Sequence, residues 1–203
     1  MRATEALPSL SDQELSELGT DEPTTDYVSP QGETYDDLEI IFPQRPGPRP
    51  TTTDEEPHEQ LDQLGPAELW DELHERALAL PGVREDRSGY SFPETKALWL
   101  DPEMAKGPEE AFIWKQEFAH LHPHPNSSWH LQLPWELTSL AISAGWAEIH
   151  PVVWLGVAPA NSVMLYSPRN AEEMEVVWDL VQESHRFASG EPQSFKLEPR
   201  ERP

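Results

Sequence analysis

Apolar positions recur at the three- and four-residue spacing of an amphipathic helix in three segments of the chain. The first segment follows Gly65-Pro66 and ends at Pro81-Gly82, residues that favour the start and the end of a helix. The second follows Pro134 and ends at Gly145, which can cap a helix C-terminus. The third follows Asn170, whose side chain can cap the first turn. The pattern therefore predicts three helices.

Apolar runs without helical spacing predict strands between these helices. Five are indicated, over residues 83–90, 96–100, 111–121, 131–133 and 162–166. The resulting order of elements is α-β-β-β-β-α-β-α. Because the strands are mostly consecutive, this order favours an α+β domain with a largely antiparallel sheet of about five strands and three helices.

The segment from Glu117 to Leu133 alternates like a β-hairpin, with turn residues at positions 125–128. A turn centred near Asn126 places His122 opposite His130 and His120 opposite Gln132. Alternation then separates two faces of the hairpin. The polar face holds His120, His122, His130 and Gln132, and the apolar face holds Ala119, Leu121, Trp129, Leu131 and Leu133. Glu117 is three residues from His120, so alternation places it on the opposite face of the strand unless a bulge intervenes.

Composition divides the chain into a tail and a domain. Residues 1–62 hold sixteen acidic and three basic residues, eight prolines and no tryptophan. Such a segment buries too little apolar surface to offset its chain entropy, so it is predicted to be a disordered acidic, proline-rich tail and linker. Residues 63–190 form the predicted domain, and 191–203 a flexible C-terminus. Within the tail, the run from Tyr35 to Phe42 is a candidate docking motif for a protein partner, or an apolar patch without a function.

Charge and composition exclude several classes of protein. The net charge of −24 disfavours nucleic acid and anionic lipid surfaces as partners, since both are bound through Lys and Arg. The chain has no cysteine, which excludes disulfides and thiolate metal sites. Neither a secretory signal nor an apolar run of about 20 residues is present, so a cytoplasmic protein outside the membrane is predicted.

Several motifs occur together in a characteristic order. They are Leu80-Pro81-Gly82-Val83, Ala97-Leu98-Trp99-Leu100, Glu117-Phe118-Ala119-His120-Leu121-His122-Pro123, His130-Leu131-Gln132-Leu133-Pro134, Ala144-Gly145-Trp146-Ala147-Glu148-Ile149-His150-Pro151 and Val163-Met164-Leu165-Tyr166-Ser167-Pro168-Arg169. Over residues 66–187 they resemble the small "luciferase domain" family of bacteria and fungi, which is largely uncharacterised. The resemblance is not to the flavin-dependent luciferases, whose TIM barrel needs about 250 residues. It implies a fold and leaves the chemistry open.

The histidines offer two kinds of chemistry. His120, His122 and His130 could hold a metal ion, with Glu117, Glu148 or His150 as a fourth ligand, because strand alternation points the rings to one side. The same residues could serve as acid/base groups beside a carboxylate, with His120, His122, His130, Glu148 and His150 as catalytic candidates. The alternative to both is a set of buried histidines with satisfied hydrogen bonds.

A ligand pocket is a further hypothesis. Its candidate residues are Trp129, Gln132, Trp146 and Arg169. Core packing of the tryptophans and a capping turn at Arg169 are the alternatives. No dinucleotide fingerprint is present, and the sequence identifies no cofactor. The predicted function is a small-ligand or protein-binding module, and the alternative is a histidine-dependent enzyme, with or without a metal.

Overall fold

The computed structural model describes residues 42–54, 56–91 and 95–194. The predicted tail up to residue 41, the docking motif except Phe42, and the C-terminal residues after 194 lie outside these ranges. Phe42 itself packs against the hydrophobic core. Residues 42–62, which composition assigns to the linker, also pack on the domain, since the side chains of Arg45, His58 and Gln60 are buried.

Within the described residues, three helices and six strands form an α+β fold, so the predicted class is confirmed. The helices are α1 (Ala67–Leu78), α2 (Trp135–Ser143) and α3 (Ala171–Ser189). The strands are β1 (Val83–Arg87), β2 (Lys96–Leu100), β3 (Glu117–Leu121), β4 (Trp129–Gln132), β5 (Ala147–Ile149) and β6 (Ser162–Leu165). The predicted number of strands was one too low, because the three-residue β5 lacks an apolar run of its own.

All neighbouring strands of the sheet are antiparallel, in the order β1-β2-β3-β4-β6-β5. The histidine strands β3 and β4 are therefore central, and both of their faces are covered by protein. The third strand was predicted to start at residue 111. Ala111 instead ends a 3-10 turn, Glu109–Ala111, and β3 begins at Glu117.

One face of the sheet carries the hydrophobic core. Leu98, Leu131 and Val163 from three strands pack there with apolar residues of the helices, and all three are essentially inaccessible to solvent. The longest helix, α3, contacts both β3 and β4. The predicted cap at Asn170 sets its start, and Gly190, which was not predicted as a cap, sets its end. The Asn170 side chain accepts a hydrogen bond from the Glu173 N–H at 2.9 Å, and Gly190 ends the helix at φ 69°.

None of the helices in the described ranges is long and apolar enough to cross a membrane.

Candidate histidine site

The β3–β4 hairpin brings three histidines together on the face of the sheet opposite the hydrophobic core. His120 pairs directly with His130, and the His120 Nε2 and His130 Nδ1 atoms are 3.1 Å apart. The predicted pairing was wrong by two residues, because the turn is centred on Pro125 and not on Asn126. A shift of two residues preserves parity. His122 therefore still shares this face, and its ring centroid lies 4.6 Å from that of His130.

A β-bulge brings Glu117 onto the histidine face. Glu117 pairs with Trp99 and Ala119 pairs with Leu98, which leaves Phe118 as an extra residue between the two pairs. Phe118 and Ala119 consequently both face the hydrophobic core. Glu117 Oε1 lies 3.0 Å from His120 Nδ1. Strand alternation alone would place this carboxylate on the opposite face, and the bulge brings it to the site.

Two histidines from outside the hairpin complete the cluster. His150 follows β5, and its Nε2 lies 3.1 Å from His130 Nδ1. His58 comes from the segment before α1, and its ring centroid is 5.3 Å from that of His130. We call these five residues the histidine cluster: His58, His120, His122, His130 and His150. Each is at most 7 % exposed, so the cluster is excluded from bulk water.

Glu148 lies behind His58 at the outer edge of the cluster. Glu148 Oε1 is 2.7 Å from His58 Nε2, and Glu148 Oε2 accepts a hydrogen bond from the Tyr166 hydroxyl at 2.9 Å. Burial raises the pKa of Glu148, but the hydrogen bonds, chiefly that with His58, outweigh burial and leave it below 4.5. Burial and the neighbouring Glu148 raise the pKa of Tyr166. Glu148 is therefore an ionised acceptor that orients His58.

Burial and mutual proximity keep the central rings neutral. Burial, reinforced by the nearby His120, lowers the pKa of His122 from 6.5 to about 4. Burial and the neighbouring histidines lower the pKa of His150 to about 3 and that of His130 well below 6.5. Neutral imidazoles have a free lone pair at physiological pH, which can accept a proton or bind a metal ion.

A small cavity opens onto the histidine cluster. Its floor includes His120, His130, His150 and Gln132, and its volume is about 50 Å³. The apolar part of its lining comes from the connection between β5 and β6 and from neighbouring elements: Tyr90, Ile113, Leu131, Val152, Val157, Ala158, Pro159 and Val163. Ser162 also lines it. A cavity of this size holds a few water-sized groups.

The structure separates the predicted ligand residues. Gln132 lines the cavity, whereas Trp129 and Trp146 lie in the hydrophobic core. Arg169 is bonded to Glu173, and neither residue lines the cavity. Of the catalytic candidates, His120, His130 and His150 line the cavity, while His122 and Glu148 lie behind them.

Sequence reasoning missed His58 and the role of Tyr166. His58 lies in a segment whose acidic, proline-rich composition is typical of a linker, so no local signal distinguishes it. Tyr166 belongs to a predicted strand, and only its contact with Glu148 connects it to the site.

The histidines form two overlapping sets that could hold a metal ion. Within the described residues these are His58 with His130 and His150, and His120 with His122 and His130. In each set, one nitrogen from every ring lies within 4.8 Å of the others. The second is the set that the sequence predicted. His130 belongs to both sets and is therefore the centre of the site.

Fold and site together define an α+β domain with a buried histidine cluster on one face of an antiparallel sheet. Residues 115–184 match the family described as "Luciferase domain". The resemblance predicted from the motifs is thereby confirmed. The matched region runs from the hairpin into α3 and holds four of the five cluster histidines.

Similar curated proteins are fungal. Proteins named "Luciferase" from Armillaria gallica and Armillaria mellea are each 29% identical over 169 residues, and one from Neonothopanus nambi is 29% identical over 168 residues. Each match covers 74% of this chain and 62% of the relative. The chain thus spans less than two thirds of the length of these relatives. No solved structure matches the chain.

Proposed function

We propose that the protein is a histidine-dependent enzyme that acts on a small, largely apolar organic molecule. The observation that carries this proposal is the contrast within one cavity, which has a floor of buried imidazoles and an exposed apolar rim. Ligand sites typically combine an apolar lining with a few placed polar groups. A binding module without catalysis is the second candidate, which the sequence favoured.

The rim supplies contact area for a ligand larger than the cavity. Tyr90 is 46% exposed and Val157 is 57% exposed, and both line the cavity. Trp154 and Leu155, from the same connection as Val157, are 78% and 75% exposed. Exposed apolar side chains grouped at a cavity mouth are typical of ligand-binding surfaces. We infer that the reacting end of the molecule enters the cavity and that its remainder contacts this rim.

The floor supplies the chemistry. His120, His130 and His150 are within reach of a group that enters the cavity, and imidazole is the commonest acid/base side chain in enzymes. The fungal relatives are named as an enzyme, "Luciferase", which supports catalysis over simple binding. A cytoplasmic location, the absence of nucleic acid partners and docking through the segment from Tyr35 to Phe42 stay predictions from the sequence.

A mixture of small molecules from a relative's organism tests the proposal. Full-length protein is incubated with the heat-treated small-molecule fraction of Armillaria mellea mycelium, and photon counting and mass spectrometry follow light emission and each compound. We expect wild-type protein to consume at least one compound. Val157→Asp at the rim abolishes this consumption because it places a charge at the apolar mouth.

Leu61→Asp is the matched control, since Leu61 is similarly exposed, at 54%, and does not line the cavity. It is expected to behave like wild type. A compound that is retained but chemically unchanged would favour the binding module over the enzyme. A compound profile identical to that of the mycelial fraction incubated without protein, with nothing retained, would refute both the enzyme and the binding module.

A further inference from the structure

We propose that His120, His122 and His130 bind one divalent transition-metal ion of the Zn²⁺ class. This proposal deepens the proposed function and rests on it, because the same cavity would place the ion beside the reacting molecule. The first support is convergence. One nitrogen from each ring lies within 4.8 Å of the others, and the three residues are 2%, 7% and 3% exposed.

The spacing of the rings suits a tetrahedral ion. Two nitrogens that each bind Zn²⁺ at about 2.0–2.1 Å are separated by roughly 3.3 Å. The His120 Nε2 and His130 Nδ1 atoms are 3.1 Å apart, which is close to this value. His122 directly follows β3 and continues its pairing through a bond from its N–H to the Ser128 carbonyl at 3.0 Å. Its ring therefore lies on the same side as that of His120, with the two centroids 6.0 Å apart.

Hydrogen bonds to neighbouring residues occupy Nδ1 of His120 and His122 and leave Nε2 of each ring free to bind an ion. Glu117 accepts hydrogen bonds from Ser88 Oγ and the Gly89 N–H, both at 2.7 Å, which fixes it as an acceptor for the His120 Nδ1–H. Ser128 Oγ donates to Asn126 Oδ1 and so accepts from the His122 Nδ1–H at 3.1 Å. With Nδ1 donating to its outer partner, each ring directs Nε2 toward the ion, as in the carboxylate–histidine–metal arrangement.

Hydrogen bonds alone do not satisfy the centre of the cluster. Because His120 Nε2 carries no hydrogen, it can form a hydrogen bond with His130 Nδ1 only if His130 Nδ1 carries one. His150 Nδ1 accepts the Val152 N–H, so its Nε2 carries the hydrogen and requires a lone pair on the same His130 atom. One ring nitrogen cannot meet both demands. His130 Nε2 has no hydrogen-bond partner among the described residues. A cation that binds both His120 Nε2 and His130 Nδ1 satisfies these two lone pairs at once, and the His150 Nε2–H then gives up His130 as its acceptor.

The rival set of His58, His130 and His150 is less suited to a metal. Binding through His150 Nε2 would place the hydrogen on Nδ1 and break the bond from the Val152 N–H. Glu56, whose Oε1 is 3.4 Å from that Nδ1, is half exposed and would have to replace it. The chosen set keeps the bond from the Val152 N–H and gives up only the contact between His150 Nε2 and His130 Nδ1. Two of its members, His120 and His130, line the cavity, which gives a three-histidine ion an open position for water or substrate.

Zn²⁺ titration of the full-length, metal-stripped protein tests the assignment, with calorimetry for affinity and elemental analysis for stoichiometry. Wild type is expected to bind about one ion per chain. His122→Gln is expected to lose binding, because His122 belongs only to the proposed set. His58→Gln, from the rival set, and His74→Gln, a buried histidine of α1 outside both sets, are expected to retain it.

Glu117→Gln extends the test to the outer contact and keeps it decisive if His122→Gln does not fold. Its Zn²⁺ affinity is expected to fall by about 10–100-fold, as for other second-shell carboxylates. Absence of Zn²⁺ binding by wild type would overturn the proposal. So would loss of binding in His58→Gln with retention in His122→Gln, since the ion would then belong to the rival set.

The metal proposal and the proposed function fail separately. Consumption of a mycelial compound by metal-free wild type would refute a role for the metal in the reaction and leave the proposal of an enzyme standing. Stoichiometric Zn²⁺ binding by a protein that neither retains nor consumes any compound would remove the enzyme and leave the metal site.

Discussion

Two buried polar clusters lie in this domain, and they are built on opposite electrostatic principles. The arginine–glutamate cluster consists of Arg45, Arg169 and Glu173, with Gln63 between the arginines. Arg169 Nε donates to Glu173 Oε1 at 2.8 Å, and Arg45 Nε lies 4.0 Å from Glu173 Oε2. Gln63 Oε1 accepts from both guanidinium groups, at 3.1 and 3.0 Å. Opposite charges and these hydrogen bonds compensate for part of the cost of burial, although Arg45 Nε and Nη2 have no hydrogen-bond partner among the described residues.

The histidine cluster contains five rings of one chemical type and no such compensation at its centre. The Nε2 atoms of His120 and His150 compete for His130 Nδ1, and His130 Nε2 lacks a partner among the described residues. Tyr166 connects the clusters, because Arg45 lies over its ring and its hydroxyl donates to Glu148. Polar groups that are buried without satisfaction are costly and mark functional sites. Both clusters contain unpartnered nitrogens, but the ion pair between Arg169 and Glu173 has no counterpart at His130. This difference indicates that one cluster stabilises the fold and the other serves ligands.

The largest expected effect follows from breaking the arginine–glutamate cluster. Glu173→Leu leaves Arg45, which is only 6% exposed, without its opposite charge. We expect a loss of about 3–5 kcal/mol in the free energy of unfolding, as for other broken buried ion pairs. Urea unfolding measures it.

Arg76→Gln is the control, since Arg76 pairs with the exposed Glu72 and Glu175 at the surface. It should cost at most about 1 kcal/mol. Equal losses in the two variants would show that burial of the arginine–glutamate cluster contributes nothing, and the contrast between the two clusters would fail.

The same carboxylate predicts an acid-dependent loss of stability. Burial raises the pKa of Glu173, but hydrogen bonds from Arg169 and the charge of Arg45 outweigh burial and leave it below 4.5. Between 4.5 and that folded value, the unfolded chain binds a proton that the folded chain does not. This contribution is therefore complete above pH 4.5 and is lost as the pH falls through the folded pKa. Urea midpoints measured across this range should fall more steeply for wild type than for Glu173→Gln; parallel curves would contradict the assignment.

A smaller effect is expected at the helix start beside the arginine–glutamate cluster. Asn170 caps α3 through the Glu173 N–H, so Asn170→Ala should cost about 1 kcal/mol. The free energy of unfolding measures this loss, and Asn170→Asp, which preserves the acceptor, should restore most of it. A loss as large as that of Glu173→Leu would mean that the cap, and not the ion pair, holds this corner.

Local signals explain why the helices could be predicted. Asn170, Gly145 and Pro66 act on backbone within one turn of themselves, so their meaning does not depend on the rest of the chain. Strand alternation likewise sorted the hairpin into a histidine face and an apolar face. The short β5 was missed because three residues carry too little pattern, and its pairing with β6 is a long-range event.

The candidate site was predictable in its hairpin part and in Glu148 and His150, but not in the contacts that join these residues. Contact between Glu117 and His120 depends on a bulge that forms where β3 pairs with β2, and nothing within β3 itself specifies it. His58 reaches Glu148 across 90 residues of sequence. Its surroundings have a linker composition, so only the folded chain shows that the segment before α1 covers the site.

The smallest expected change in stability is at the centre of the histidine cluster. His130→Leu removes the unpartnered nitrogen and the competing ring contacts, and leucine fills much of the space. The free energy of unfolding of the metal-free protein should stay within about 1 kcal/mol of wild type, because an unsatisfied polar group is exchanged for an apolar one. Leu131→Ala, one residue along β4 on the core face, should cost about 2–5 kcal/mol. Zn²⁺ binding should disappear in His130→Leu and persist in Leu131→Ala. A His130→Leu protein as unstable as Leu131→Ala would mean that the imidazoles hold the sheet together, and the functional reading of the histidine cluster would lose its basis.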